Sequence, residues 1–229
     1  MTFNNGQYYS IGVKMNCGNV DLSAATGDVV LNNGDVAYGT LAGIYRVSIR
    51  SGATVILNGV YINGSDDEAY NWAGIECAGS ATINLAGTNT VRPYGIGYPG
   101  IWIPGNKTLT IQGDGELEVS GSNNGAGIGS GYNTSCGNIT VKGDTITATG
   151  SLGAGIGTGD NGKCGNITIA SSVTRVTANS DRGQYSVGKI DDSGTCGKVT
   201  IGGRTYFNGS SFVYDGDSYL SEKPFVYEP

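Results

Sequence analysis

The chain has 229 residues, a formal net charge of −6 and no Lys/Arg cluster, so one domain is expected and nucleic acid is not expected as a partner. It contains 41 Gly but only 5 Pro and no His, which excludes collagen and also excludes Ser/His or Cys/His catalysis. No apolar run approaches the roughly 18 residues of a membrane span, and none is expected.

The first segment, residues 1–19, differs from the rest of the chain and is predicted to cap one end of the fold. It is mostly polar and carries Phe3, Tyr8 and Tyr9. No secretory signal is visible in it, and we expect that one has been removed if the protein is exported.

From Val20 onward a short apolar-x-apolar element recurs through the chain. It begins at seven positions, separated by 35, 28, 26, 30, 28 and 32 residues: Val20, Val55, Ile83, Leu109, Ile139, Ile167 and Val199. A similar element precedes it in most coils, and another follows it. Three short strands per coil predict an all-β fold, a single-stranded right-handed parallel β-helix (solenoid) of about seven coils over residues 20–203.

The side chains of these elements are expected to form rows along the solenoid, because they alternate between the two faces of a strand. The outer two residues of each element face inward and the middle residue faces solvent. The outward row therefore reads Asp21, Ile56, Asn84, Thr110, Thr140, Thr168 and Thr200.

The clearest repeat is GAGIGSGYNTSCGNITV (Gly125–Val141), which recurs 28 residues later as GAGIGTGDNGKCGNITI (Gly153–Ile169). Its cysteines, together with Cys196, each lie three residues before the apolar element, so they are predicted to stack at one corner, and Cys17 occupies the same place in the first coil. Two interpretations stay open for this row: small buried residues that fill a tight corner, or a redox or cross-linking row. Cys77 is predicted to face inward.

After Arg204 the repeat ends and aromatic residues accumulate. Residues 204–229 include Tyr206, Phe207, Phe212, Tyr214, Tyr219, Phe225 and Tyr227. An open solenoid exposes its core at both ends, so this segment is predicted to be the C-terminal cap of a single domain, residues 1–229.

Large aromatic side chains also concentrate on the second to fourth coils. Trp72 and Tyr98 each precede by two residues the Gly that opens a strand, which predicts that they are neighbours on adjacent coils. Trp102 takes an outward position, and Tyr61 lies nearby in the sequence. Flat rings on a rigid face stack on sugars, so these four residues are predicted to bind a polysaccharide or another glycan. The alternative is that the rings only cover the corners of the solenoid.

An acidic run in an inter-strand loop, Asp66, Asp67 and Glu68, is a candidate Ca²⁺ site, because oxygen-rich loops on a rigid scaffold suit hard cations. The alternative is a solvated loop.

A lyase site is a further possibility, because Arg92 and Glu118 fall at roughly equivalent outward positions on adjacent coils. In that interpretation Arg92 removes a proton beside a Ca²⁺-bound uronate, and Asp114 or Glu116 helps to hold the metal. A surface ion pair is the simpler interpretation.

The segments SGATVILNGVYING, KTLTIQGDGELEVSG and GAGIGSG with CGNITV resemble a family of bacterial surface β-helix proteins that bind carbohydrates. The resemblance implies a secreted or cell-surface protein, non-catalytic binding of polysaccharides such as cellulose or polygalacturonate, calcium in the scaffold and a pectate-lyase-like shape. Similar GIGSG and CGNIT repeats occur in large adhesin-like proteins. An adhesive role, a lyase and a purely structural spacer therefore remain as alternatives.

Overall fold

The computed structural model describes residues 18–65 and 67–229, which fold as parallel stacked coils of a single-stranded β-helix, and the predicted fold class is confirmed. A 3-10 turn covers Leu22–Ala24, and one described α-helix, α1, covers Gly216–Leu220. No helix in the described part of the chain is long and apolar enough to cross a membrane. The strands, in chain order, are β1 (Asn19–Asp21), β2 (Val29–Leu31), β3 (Val36–Thr40), β4 (Val47–Ile49), β5 (Thr54–Ile62), β6 (Ile75–Cys77), β7 (Ala81–Ala86), β8 (Thr88–Val91), β9 (Ile101–Trp102), β10 (Thr108–Ser120), β11 (Ile128–Gly129), β12 (Asn138–Gly150), β13 (Ile156–Gly157), β14 (Lys163–Cys164), β15 (Ile167–Ile169), β16 (Arg175–Ser180), β17 (Val187–Gly188), β18 (Thr195–Cys196), β19 (Lys198–Ile201), β20 (Arg204–Asn208) and β21 (Phe225–Tyr227).

Two stacks of strands form the walls of the solenoid, and successive neighbours in each stack pair in parallel, except β19 and β20. Sheet A runs in the order β1-β3-β5-β7-β10-β12-β15-β19-β20, with β8 paired to β5 and β10, and β16 paired to β12. Sheet B runs in the order β2-β4-β6-β9-β11-β13-β17. In β10 and β12 two of the predicted short strands continue as one bent strand, and the bends lie at Gly113 and Gly143, both with positive φ. The buried Ile, Val and Leu side chains of successive coils fill the space between the sheets.

The coils differ in length, and the sequence pattern does not predict the two shortest coils. In sheet A, full-length coils from β5 onward advance by 28 to 32 residues, as in Leu57 beside Leu85 and Ile167 beside Val199. The predicted 35-residue interval instead contains two short coils, because β3 lies between β1 and β5 and pairs with both. Ala37 is the partner of Val20 on one side and of Leu57 on the other.

A two-residue difference in register changes the predicted outward row. Ile83 pairs with Ile111, and Leu109 pairs with Ala81, so β7 lies two residues from its predicted alignment with β10. A shift of two residues keeps every side chain on its predicted face. Its effect is to join six threonines of successive coils into one ladder: Thr54, Thr82, Thr110, Thr140, Thr168 and Thr200.

The two repeated phrases are explained by hydrogen bonds that run from one coil to the next. In the CGN phrase, Asn138 Oδ1 accepts the amide of Asn166 at 2.8 Å, and Asn166 Oδ1 accepts the amide of Lys198 at 2.8 Å. In the GIGSG and GIGTG phrases, the buried hydroxyl of Ser130 accepts the amide of Gly159, and that of Thr158 accepts the amide of Ile190. Each side chain therefore satisfies a corner amide of the following coil.

The C-terminal segment covers the last coil with strands of reversed direction. β20 pairs antiparallel with β19, and β21 pairs antiparallel with β16. Leu220 of α1 and Phe225 of β21 are buried, and the rings of Tyr219 and Phe225 lie 5.0 Å apart. The residues predicted to cap the N-terminal end, Phe3, Tyr8 and Tyr9, lie outside the described residues, and so does Cys17.

Candidate functional site

A small pocket on the outer face of sheet B brings two of the predicted aromatic residues together. Its volume is about 130 Å³, and its lining residues are Ala73, Glu76, Tyr98, Pro99, Trp102 and Thr134. Glu76 on β6 and Trp102 on β9 are partners in the parallel ladder, so their side chains stand on adjacent coils. Both point outward because Ile75 and Ile101, which precede them, are buried.

The indole of Trp102 is held in place by the following coil. Its Nε1–H donates a hydrogen bond to the backbone carbonyl of Ser135 at 3.1 Å, and the ring remains partly exposed. An indole fixed in this way loses little conformational entropy when a ligand stacks on it.

Tyr98 reaches the pocket because the residue three positions before it is glycine. A Cβ on Gly95 would lie 2.6 Å from Cδ2 of the Tyr98 ring, so any larger residue would displace the ring. Pro99 follows directly and adds an apolar wall.

Glu76 supplies the one carboxylate that the described residues contribute to the pocket lining. Its Oε1 accepts the amide of Ala73 at 3.2 Å, and Oε2 forms no hydrogen bond with the described residues. Burial, together with a smaller effect of the Glu76 carboxylate, raises the pKa of the neighbouring Cys77 thiol to about 12. Cys77 is fully buried, so its predicted inward position is confirmed. The pocket thus offers two rings and one free acceptor oxygen.

Trp72 does not line this pocket but belongs to a separate aromatic cluster. Its ring lies 5.2 Å from that of Tyr70 and 6.2 Å from that of Tyr94, and the Arg46 guanidinium lies 4.9 Å from its ring centre. Tyr94 is buried, which raises the pKa of its phenol, and its hydroxyl donates to the carbonyl of Gly43. The buried Nε1 of Trp72 has no hydrogen-bond partner among the described residues.

Tyr61 lies on a different face from the pocket. It is on β5 of sheet A, where its ladder partner is Thr90, and 44% of it is exposed. The structure therefore divides the four predicted sugar-binding residues among the pocket (Tyr98 and Trp102), the aromatic cluster (Trp72) and sheet A (Tyr61).

The acidic run shows no assembled metal site in the part that is described. Asp66 lies outside the described residues; Asp67 Oδ1 accepts the amide of Ala69 at 2.8 Å, and Glu68 is exposed. Across residues 18–65 and 67–229, no group of three or more Cys, Asp or Glu side chains is arranged to hold a metal ion. A Ca²⁺ site at Asp66, Asp67 and Glu68 stays a prediction.

Arg92 and Glu118 form the predicted ion pair at the surface. Nη2 of Arg92 lies 3.6 Å from Oε1 of Glu118, and at least half of each side chain is exposed. A shallow groove of about 230 Å³ beside the pair is lined by Glu116, Glu118 and threonines but not by Arg92. Exposed pairs of this kind contribute about 0 to 1 kcal/mol to stability, and the geometry matches the simpler interpretation.

No family model, curated protein or solved structure matches the chain. The fold and the pocket therefore define its class: a parallel β-helix that carries, on the outside of sheet B, a small pocket of two aromatic rings and one carboxylate. Strand alternation puts Glu76 on the outward face, but no motif in the sequence marks it as part of the site. Thr134 comes from a loop of the next coil, and no local pattern marks it.

Proposed function

We propose that this protein binds a polysaccharide outside the cell or at the cell surface and does not change it chemically. The observation that supports the proposal is the pocket, in which the fixed indole of Trp102 and the ring of Tyr98 stand beside the free carboxylate oxygen of Glu76. Aromatic rings provide apolar area for the C–H face of a sugar, and a carboxylate accepts its hydroxyls. The resemblance of the repeat phrases to carbohydrate-binding β-helix proteins supports the same proposal.

The size of the pocket suits one sugar unit at the edge or end of a chain. Sites that enclose a small molecule usually measure about 300 to 1,000 Å³, and this pocket measures about 130 Å³. Contacts with further units would then run along the outside of sheet B.

The charge of the pocket favours neutral or amino sugars over uronates. Among the described residues, Glu76 is the one charged residue of the lining, and the protein as a whole carries a net charge of −6. A uronate carboxylate would be repelled by both.

Trp102→Ala is expected to weaken binding of a neutral glucan or chitin oligosaccharide at least about tenfold, or about 1.4 kcal/mol, because the stacking surface is lost. Isothermal titration calorimetry of wild type and variant measures the effect. Tyr214→Ala is the matched control, since this ring is 76% exposed and lies outside the pocket. Tyr61→Ala tests the predicted sugar-binding residue that lies on sheet A.

Equal affinities of wild type and Trp102→Ala for the oligosaccharide would show that the glycan does not bind in this pocket. Binding to none of the neutral, amino or uronate glycans would favour the structural spacer. New ultraviolet absorbance from unsaturated products would instead establish a lyase. Loss of binding in EDTA would support the predicted calcium.

Glu76→Gln is expected to reduce the preference for neutral over acidic glycans. Two like charges about 4 Å apart in water repel by about 1 kcal/mol, so affinity for polygalacturonate fragments should rise several-fold. Affinity for a neutral oligosaccharide should change much less, because the amide oxygen still accepts a hydrogen bond. Competition between the two ligands at low ionic strength measures the ratio, and a ratio unchanged by the substitution would contradict the electrostatic argument.

A further inference from the structure

Three buried cysteines form a row along one corner of the last coils. β14 and β18 pair in register, with Cys164 directly beside Cys196. A bridge between Ser135 and Lys163 brings Cys136 into the same row. The three residues are 4 to 8% exposed.

The geometry of the row suits covalent linkage between coils. Parallel strands lie about 4.7 to 4.9 Å apart, which is within the roughly 4.4 to 6.8 Å that separates the Cα atoms of disulfide-bonded cysteines. The sulfur atoms of Cys136 and Cys164 are 2.6 Å apart, although the two thiols are free in the structure. Solenoid stacking therefore brings the two sulfurs together without any movement of the backbone.

We propose that Cys136 and Cys164 are a modification site at which a disulfide joins two successive coils, with Cys196 as the alternative partner of Cys164. The reaction forms one S–S bond from two S–H groups. The two electrons and two protons pass to a low-molecular-weight disulfide such as oxidised glutathione, which is reduced to two thiols. Such a bond is typical of proteins in oxidising compartments, and it bears on localisation independently of the glycan pocket.

The surroundings of the row indicate when the bond forms. The thiol of Cys136 and burial raise the pKa of Cys164, and burial raises the pKa of Cys196 to about 12. Thiolates are the reactive species in thiol–disulfide exchange, so exchange in the folded protein is slow. The bond is expected to form while the chain folds and then to resist external reductants until the protein unfolds.

Counting free thiols tests the proposal. The sequence has five cysteines, so protein refolded in a glutathione redox buffer, then denatured and treated with N-ethylmaleimide, should carry three adducts, and five after prior reduction. Peptide mapping of the wild type should recover the Cys136–Cys164 cross-link, whether or not any variant folds. The cross-linked protein should also unfold at a higher temperature than the reduced protein.

Serine variants separate the two possible links. Cys136→Ser should still lose two thiols, now through a bond between Cys164 and Cys196, whereas Cys164→Ser should keep all four remaining thiols free. Cys77→Ser is the matched control, because this residue is buried outside the row and its replacement should leave the cross-link intact. Five adducts in the oxidised wild type, or a cross-link that involves Cys77, would overturn the proposal.

Discussion

Gly129→Ala is expected to prevent folding or to lower the free energy of unfolding by more than about 4 kcal/mol, a loss that few single substitutions cause. Gly129 ends the two-residue strand β11, with φ at +147°, a conformation that residues with a Cβ rarely adopt. A Cβ at this position would lie 1.8 Å from the carbonyl oxygen of Gly157 in the next coil. That carbonyl belongs to the backbone of sheet B, so relief would require the coils to separate.

The matched control is Gly105→Ala. Gly105 lies in a turn, has no positive φ, and a Cβ there would meet no atom within 4 Å. Its replacement should change stability by no more than about 0.5 kcal/mol. Soluble yield and urea denaturation measure both variants. A Gly129→Ala protein that unfolds within about 1 kcal/mol of wild type would show that the stacked corners of sheet B are not closely packed.

Asp144→Asn is expected to remove a pH dependence of stability that the wild type has between about pH 4 and pH 7. Asp144 lies in the bend of β12 with φ at +72°, and it is 2% exposed. Neither carboxyl oxygen has a well-formed hydrogen bond to a described residue. The pKa of this carboxyl is raised to about 6, chiefly by burial and to a smaller extent by the nearby Asp114 charge, while the Gly115 amide opposes the shift.

The direction of the pH effect follows from the raised pKa. The folded protein holds this proton more tightly than the unfolded chain, whose Asp has a pKa of 3.8. The stabilising contribution is complete below about pH 4 and disappears as pH rises through 6. Because one pKa unit corresponds to about 1.4 kcal/mol, the wild type should lose on the order of 3 kcal/mol relative to the variant by pH 7.

Urea denaturation of both proteins at several pH values measures this difference. Asp181→Asn is the control, since Asp181 is exposed and its Oδ1 accepts a hydrogen bond from Asn179 that an amide oxygen can also accept. The control should follow the wild-type curve. If instead the wild type gains stability relative to Asp144→Asn between pH 4 and 7, the buried carboxylate must be stabilised by a partner such as a bound cation.

Much of the fold could be predicted from the sequence because each coil repeats the same inward residues. The pattern could not reveal β3, since Val36 and Ala37 are followed by Tyr38 and Gly39 and do not resemble the later elements. It also could not distinguish registers that differ by two residues, because alternation is identical in both. The continuous threonine ladder depends on the register of β7, which the sequence pattern does not specify.

The site could be predicted less well, because its parts depend on loop geometry. The outward positions of Glu76 and Trp102 follow from strand alternation, and the structure pairs them. The separation of Trp72 from Tyr98 depends on the path of the loops that precede their strands, which no periodicity encodes. The burial of Asp144 could not be predicted either, because a Gly-Asp pair is usual in an exposed turn. In the structure the bend of β12 turns its side chain inward.

The hydrogen bonds that join the repeated phrases have a consequence for how such a molecule can change in size. Asn138, Asn166 and the hydroxyls of Ser130 and Thr158 each bond to the following coil, and each coil contacts chiefly its neighbours. Duplication of one 28-residue unit within the gene would therefore insert a layer whose bonds already match above and below. The rod would lengthen in fixed steps of about 4.8 Å, and its C-terminal cap would remain as it is.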